Sequence, residues 1–120
     1  MTDGTPMQAP PRKVRVVLAN DPRSYREAMA AVIRHARPGV VVETADPEAL
    51  DAFMTSPGPD MVVCSEVTDA VRSKVPVWVE LYPEHGSHSF ASIRGDLQEH
   101  DDMQLPDLLA IVDRAVDPLV

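Results

Sequence analysis

The sequence predicts an α/β fold, with strands and helices alternating around a doubly wound, mostly parallel sheet. Three observations carry this expectation. Short apolar runs rich in valine recur at Val16-Val17-Leu18, Met61-Val62-Val63 and Val77-Trp78-Val79, as in strands covered on both faces. Stretches with apolar residues three and four apart alternate with them. The first run ends in Asn20-Asp21 and gives way at once to a helix pattern. Polar side chains thereby reach the carboxyl edge of the first strand, where ligands bind in such sheets.

Residues 1–12 carry Gly4, Pro6, Pro10 and Pro11 with little to bury and are expected to form a flexible tail. A single domain is expected over 13–117. Lys13 to Ala19 is the first strand. Asp21-Pro22 reads as a helix N-cap followed by proline at the first helical position. Ser24 and Glu27 offer a capping box one turn later. Tyr25, Met29, Val32, Ile33 and Ala36 form the buried stripe, and Pro38-Gly39 stops the helix. Val40 to Thr44 is the second strand. Asp46-Pro47 opens a short helix carrying Leu50, Phe53 and Met54, which Pro57-Gly58-Pro59 ends. Asp60 to Cys64 is the third strand. Ser65 to Pro76 leaves room for a turn or two of helix, and Val77 to Tyr82 is the fourth strand.

Pro83 to Ser87 is turn chemistry, and Phe90 to Arg94 reads as a fifth strand. A parallel crossover needs about a dozen residues or more, and this connection is shorter. The fourth helix is therefore predicted to be missing, with strand five antiparallel to strand four. Arg94-Gly95-Asp96 is a further turn, and Leu97 to Met103 is a short edge strand or a loop. Leu105-Pro106 opens a final helix with Leu108, Leu109, Val112, Ala115 and Val116 on its buried side.

The formal charge of −8 over 120 residues argues against non-specific nucleic-acid binding, which sets lysine and arginine against phosphate. The arginines are scattered along the chain. No apolar run approaches the roughly 20 residues that span a bilayer, and no signal-peptide core opens the chain. A cytoplasmic protein is expected, binding neither nucleic acid nor membrane. The lone cysteine, Cys64, excludes an internal disulfide and a cysteine-rich zinc site. Its apolar neighbours mark it as a small buried hydrophobe.

Val14 to Ile33 (VRVVLANDPRSYREAMAAVI) resembles the opening of the receiver domain of response regulators, especially those of LuxR type. Pro59-Asp60 followed by Met61 to Cys64 resembles its third strand. Residues 13–82 carry the similarity best, and the final helix carries it moderately. SYREA at Ser24–Ala28, DMVVCS at Asp60–Ser65 and WVELYP at Trp78–Pro83 also resemble a group of small bacterial proteins. The receiver resemblance implies a flavodoxin-like sheet in the order 2-1-3-4-5. It also implies a pocket for aspartyl phosphorylation. In that pocket two acidic residues after strand one help to hold Mg²⁺, and an acceptor aspartate ends strand three. A hydroxyl residue ends strand four and a lysine ends strand five.

This sequence departs from that pattern. The first acidic position falls on Asn20, which has an amide oxygen and no charge, and the second on Asp21. The acceptor position falls on Ser65, which forms no acyl phosphate. The hydroxyl position falls on Leu81, and the lysine has no counterpart beyond Arg94 in a turn. Mg²⁺ wants hard oxygen ligands, and phosphoryl transfer is mostly positioning and charge neutralisation. One carboxylate stands where the resemblance implies three. Each one lost removes roughly 1–4 kcal/mol of attraction at near-surface dielectric values. A degenerate receiver is expected, with no cofactor or metal, not phosphorylated on aspartate and not an enzyme. Plainer roles also suit the first two positions: Asp21 as a helix cap, Asn20 as a partner for turn backbone.

Ser65 lacks the flanking glycines of a nucleophile elbow, so no catalytic residue is named. His85, His88 and His100, with Glu84, Asp96, Glu99, Asp101 and Asp102, read as a solvated acidic loop rather than a metal site. Trp78, Glu80 and Tyr82 share one face of strand four. With a helix missing, that face is under-covered, and aromatic residues with a polar tip favour interfaces. These three are the candidate interface, for a protein partner or a homodimer through the strand 4/5 region. Packing beneath the final helix or the 99–103 loop is the alternative. The expected function is a regulatory or scaffolding module that acts through protein contact. A small-ligand sensor using Asn20, Asp21 and Ser65 is the alternative, and an enzyme of unknown reaction at the same pocket ranks last.

Overall fold

The structure, a computed structural model, describes residues 13–55, 58–81 and 88–116. The expected tail at 1–12, Tyr82 and the turn at Pro83–Ser87 lie outside the described residues. Six strands form one mixed sheet: β1 (Arg15–Ala19), β2 (Val41–Thr44), β3 (Met61–Cys64), β4 (Val77–Glu80), β5 (His88–Ile93) and β6 (Asp96–Asp101). Their order is β2-β1-β3-β4-β5-β6. The first four run parallel, β5 is antiparallel to β4, and β6 is antiparallel to β5. The expected order holds for five strands, and the reversal of strand five is as expected. A sixth strand extends the sheet: Asp96–Asp101 is an edge strand and not a loop, and β5 begins at His88 rather than Phe90. Among the described residues no helix separates β4 from β5.

Side chains alternate across each strand, so the sheet has two apolar faces. Val16, Leu18, Met61, Val63, Val77 and Val79 meet α1 (Arg23–Ala36) and α3 (Leu105–Val116). Val17, Ala19, Val62, Cys64 and Trp78 meet a 3-10 helix (Pro47–Phe53) and α2 (Asp69–Lys74). Cover on both sides explains why β3 is buried along its whole length and why the sequence shows unbroken apolar runs there. Among the described residues, no helix is long and apolar enough to cross a membrane.

Three local expectations need correction. α1 starts at Arg23 with Pro22 as its N-cap, and no side chain caps it. Asp21 therefore does not cap the helix. Glu27 pairs with Arg23 at 2.8 Å instead of closing a capping box with Ser24. The buried stripe of α1 is Arg26, Met29, Ala30 and Ile33, while Tyr25 and Val32 are exposed. Arg26 takes the place expected for Tyr25 because its guanidinium reaches Asp46, 3.0 Å away, while its methylene stem fills the interface. The third correction is in α3, where Ile111 joins Leu108 and Val112 inside and Val116 is exposed in the last turn.

The two helices on that face are clasped by Arg37, whose Nε and Nη2 donate to the Asp113 carboxylate at 2.6 and 2.9 Å. The short 47–53 segment is 3-10, the form common in brief connecting helices. The β5–β6 turn is Arg94-Gly95, with φ of 49° and 90°. Two central residues at positive φ make a type I′ hairpin, whose twist matches the strands it joins.

Candidate functional site

The strand order reverses between β1 and β3, and their chains leave toward opposite faces, β1 to α1 and β3 to α2. The crevice outside such strand ends is the usual ligand position. Asn20 follows β1 and is fully buried. Its Nδ2 lies 3.5 Å from the Met29 sulfur, and its Oδ1 has no partner. Asp21 is exposed, and its backbone N–H donates to Ser65 Oγ at 2.9 Å. The structure thus brings Asn20, Asp21 and Ser65 together. Leu81 is withdrawn into the core on the α1–α3 face, with its backbone N–H donating to the Cys64 carbonyl at 2.8 Å.

These residues do not fit the Mg²⁺ ion that the receiver resemblance implies. A hard cation wants several oxygen ligands in a regular shell. Asn20 is turned into the core, the Ser65 oxygen already accepts from Asp21, and Leu81 offers nothing. That leaves one accessible carboxylate, Asp21. Among the described residues, Asn20, Asp21 and Ser65 bring together one amide, one carboxylate and one hydroxyl at this edge.

Cys64 ends β3 beneath this edge. Its thiol donates to the Val79 carbonyl at 3.8 Å. Burial, and then the nearby charge of Glu80, pushes the thiol up to about 12. It stays protonated and inert at neutral pH, in line with its reading as a buried hydrophobe. Glu80 is committed locally, since its Oε2 accepts from the Val67 N–H at 2.8 Å and so holds the loop after β3.

Trp78 is only 7 % exposed. It packs beneath α2, with the Arg72 guanidinium 5.4 Å from its ring centroid, and not beneath α3 or the 99–103 segment. Its ring is therefore covered for the most part by α2. Tyr82, the third residue of the candidate interface, lies outside the described residues.

The histidine region is a two-stranded ribbon and not the loop expected. His88 on β5 faces Glu99 and Asp101 on β6, with its Nδ1 at 2.9 and 2.6 Å from their carboxylates. The ligand atoms of these three exposed residues lie within 4.8 Å of one another, the one grouping of metal-ligand type among the described residues. The His88 ring nitrogen and the two carboxylates contact one another on the surface. His100 pairs in register with Ser89 and so points to the opposite face; His85 lies outside the described residues.

Sequence reasoning missed Arg26. It is 3 % exposed, yet its Nε and Nη1 have no partner. With Arg23, Thr44 and Asp46 it lines a hollow of about 300 Å³ between α1 and the 3-10 helix. The available signal was its spacing of three and four from Met29 and Ala30, which puts a charge inside an apolar stripe. No family model, no curated protein and no solved structure matches the chain. The functional reading rests on the geometry.

Proposed function

We propose that this chain is a non-enzymatic, receiver-like interaction module on a flavodoxin-like sheet, with a regulatory or scaffolding role in the cytoplasm. The observation that carries the reading is the hydrogen bond from Asp21 N–H to Ser65 Oγ. Where a receiver presents a charged acceptor, this chain places a neutral hydroxyl engaged in tying two strand ends together. The burial of Leu81 at the hydroxyl position supports the same reading. Signalling then passes by contact with a protein partner or a second copy in the strand 4/5 region. Support for that surface is the edge strand β6, which has no buried residue and on which Leu97 is 62 % exposed. The lone buried thiol is in keeping with a reducing compartment.

The test is incubation with acetyl phosphate and Mg²⁺ followed by intact mass. The expected mass is unchanged. A stable increment of one phosphate on an aspartate overturns the proposal. The second reading is a small-ligand sensor at the carboxyl edge, favoured by the buried, unpartnered Asn20 Oδ1, since such groups are ordinarily satisfied by something. A melting screen against polar metabolites separates the two, because a tight ligand raises the melting temperature by mass action.

A further inference from the structure

The chain has 11 lysine and arginine residues against 19 aspartate and glutamate. Its fold nevertheless gathers three of the cations around one hollow of about 390 Å³ whose described lining holds no carboxylate. Arg72 and Lys74 come from the end of α2, and Arg94 comes from the β5–β6 turn. The floor is Trp78 and Ser92, register partners on β4 and β5. The hollow lies at the amino end of β4, the opposite edge of the sheet from Asn20 and Ser65.

None of the three cations pairs with a carboxylate among the described residues. Arg72 is oriented by stacking on Trp78. Arg94 is anchored through Nη2, which donates to the Arg114 carbonyl at 2.7 Å, and among the described residues its other side-chain N–H groups have no partner. Ser92 is 8 % exposed and its hydroxyl has no hydrogen-bond partner among the described residues. That hydroxyl stands on the floor of the cationic hollow, within reach of an anion seated there.

We propose that this hollow binds the phosphate group of a small phosphorylated molecule. Three cations and a hydroxyl match the double charge and several oxygens of a phosphate better than the single charge of a carboxylate. The space exceeds a bare phosphate and falls at the lower end for small-molecule sites, so the ligand carries a modest organic group or a second phosphate. This site is independent of the receiver-like reading.

Trp78 is the only tryptophan of the chain, so its fluorescence reports on the hollow directly. Pyrophosphate, inorganic phosphate, citrate and a poly-glutamate peptide are titrated into the full chain at fixed ionic strength. A saturable change with pyrophosphate is expected, weakened at least about tenfold in Arg94→Asn and in Lys74→Gln, since each removes a charge-assisted contact. Arg94→Asn suits this purpose because asparagine before glycine favours the type I′ turn, so the hairpin is kept while the charge is lost. Circular dichroism confirms that both variants fold. No saturable response to millimolar pyrophosphate, or equal affinity in both folded variants, overturns the proposal. Response to the peptide without response to pyrophosphate also overturns it and assigns the hollow to an acidic protein partner.

Discussion

The Asp21 backbone N–H and the Ser65 hydroxyl are joined by a 2.9 Å hydrogen bond that fastens the end of β1 to the end of β3. Ser65→Ala removes the acceptor. Asp21 is exposed, so its freed N–H turns to water and the loss stays near about 0.5–1 kcal/mol. The melting temperature is expected to fall by roughly 2–6 °C. An unchanged melting temperature would show that the tie contributes nothing.

Arg26 gives an asymmetric pair of outcomes. Its guanidinium is buried with two nitrogens unpartnered, and Asp46 is its one carboxylate contact among the described residues. Arg26→Met substitutes an apolar side chain of similar volume and is expected to leave stability unchanged or raise it by about 1–3 kcal/mol. Asp46→Ala strands the buried charge and lowers stability. Because Asp46 is itself 63 % exposed, water screens the pair and the loss is about 1–2 kcal/mol. Urea midpoints measure both, and a large loss in Arg26→Met contradicts the geometry.

At the β5–β6 turn the expected cost is purely conformational. A Cβ on Gly95 would meet nothing within 4 Å, yet its φ is +90°. Gly95→Ala is expected to cost about 1–2 kcal/mol. Arg94, also at positive φ, is relieved by Arg94→Asn, with a gain of several tenths of a kcal/mol. Thermal melts of the two variants should move in opposite directions.

Cys64 sets an alkaline limit on stability. Its folded thiol titrates near 12, above the unfolded value, so the folded chain holds the proton more tightly. The resulting stability is fully present below the unfolded thiol pKa and is lost as pH rises toward the folded one. Above about pH 9 this contributes a decline of roughly 1.4 kcal/mol per pH unit. Denaturation of the native chain and of Cys64→Ala between roughly pH 8 and pH 10.5 isolates it, since lysine and tyrosine titrate in both. Parallel pH profiles would refute the burial argument.

What was readable in the sequence follows from how local each cause is. β1 and β3 announce themselves because strands covered on both faces need unbroken apolar runs. The antiparallel β4–β5 pairing follows from a connection too short for a crossover. The rotation of α1 does not follow, because it depends on Arg26 reaching Asp46 across 20 positions of sequence. β6 was ambiguous because its residues are mostly polar, and its place in the sheet comes from backbone pairing with β5. Trp78 was assigned to the correct face of β4, but the helix that covers it is α2. Arg72, Lys74 and Arg94 looked scattered because only the folded chain closes the distance between α2 and the hairpin turn.

One consequence of the sixth strand concerns the company this protein keeps at high concentration. β6 is outermost, with backbone groups facing away from β5, and it carries Asp96, Glu99 and Asp101. A like strand from another copy would bring acid against acid, so lateral growth into fibrils is held off near neutral pH. Replacing those acids with neutral residues would remove that guard and leave the exposed Leu97 as a foothold for stacking.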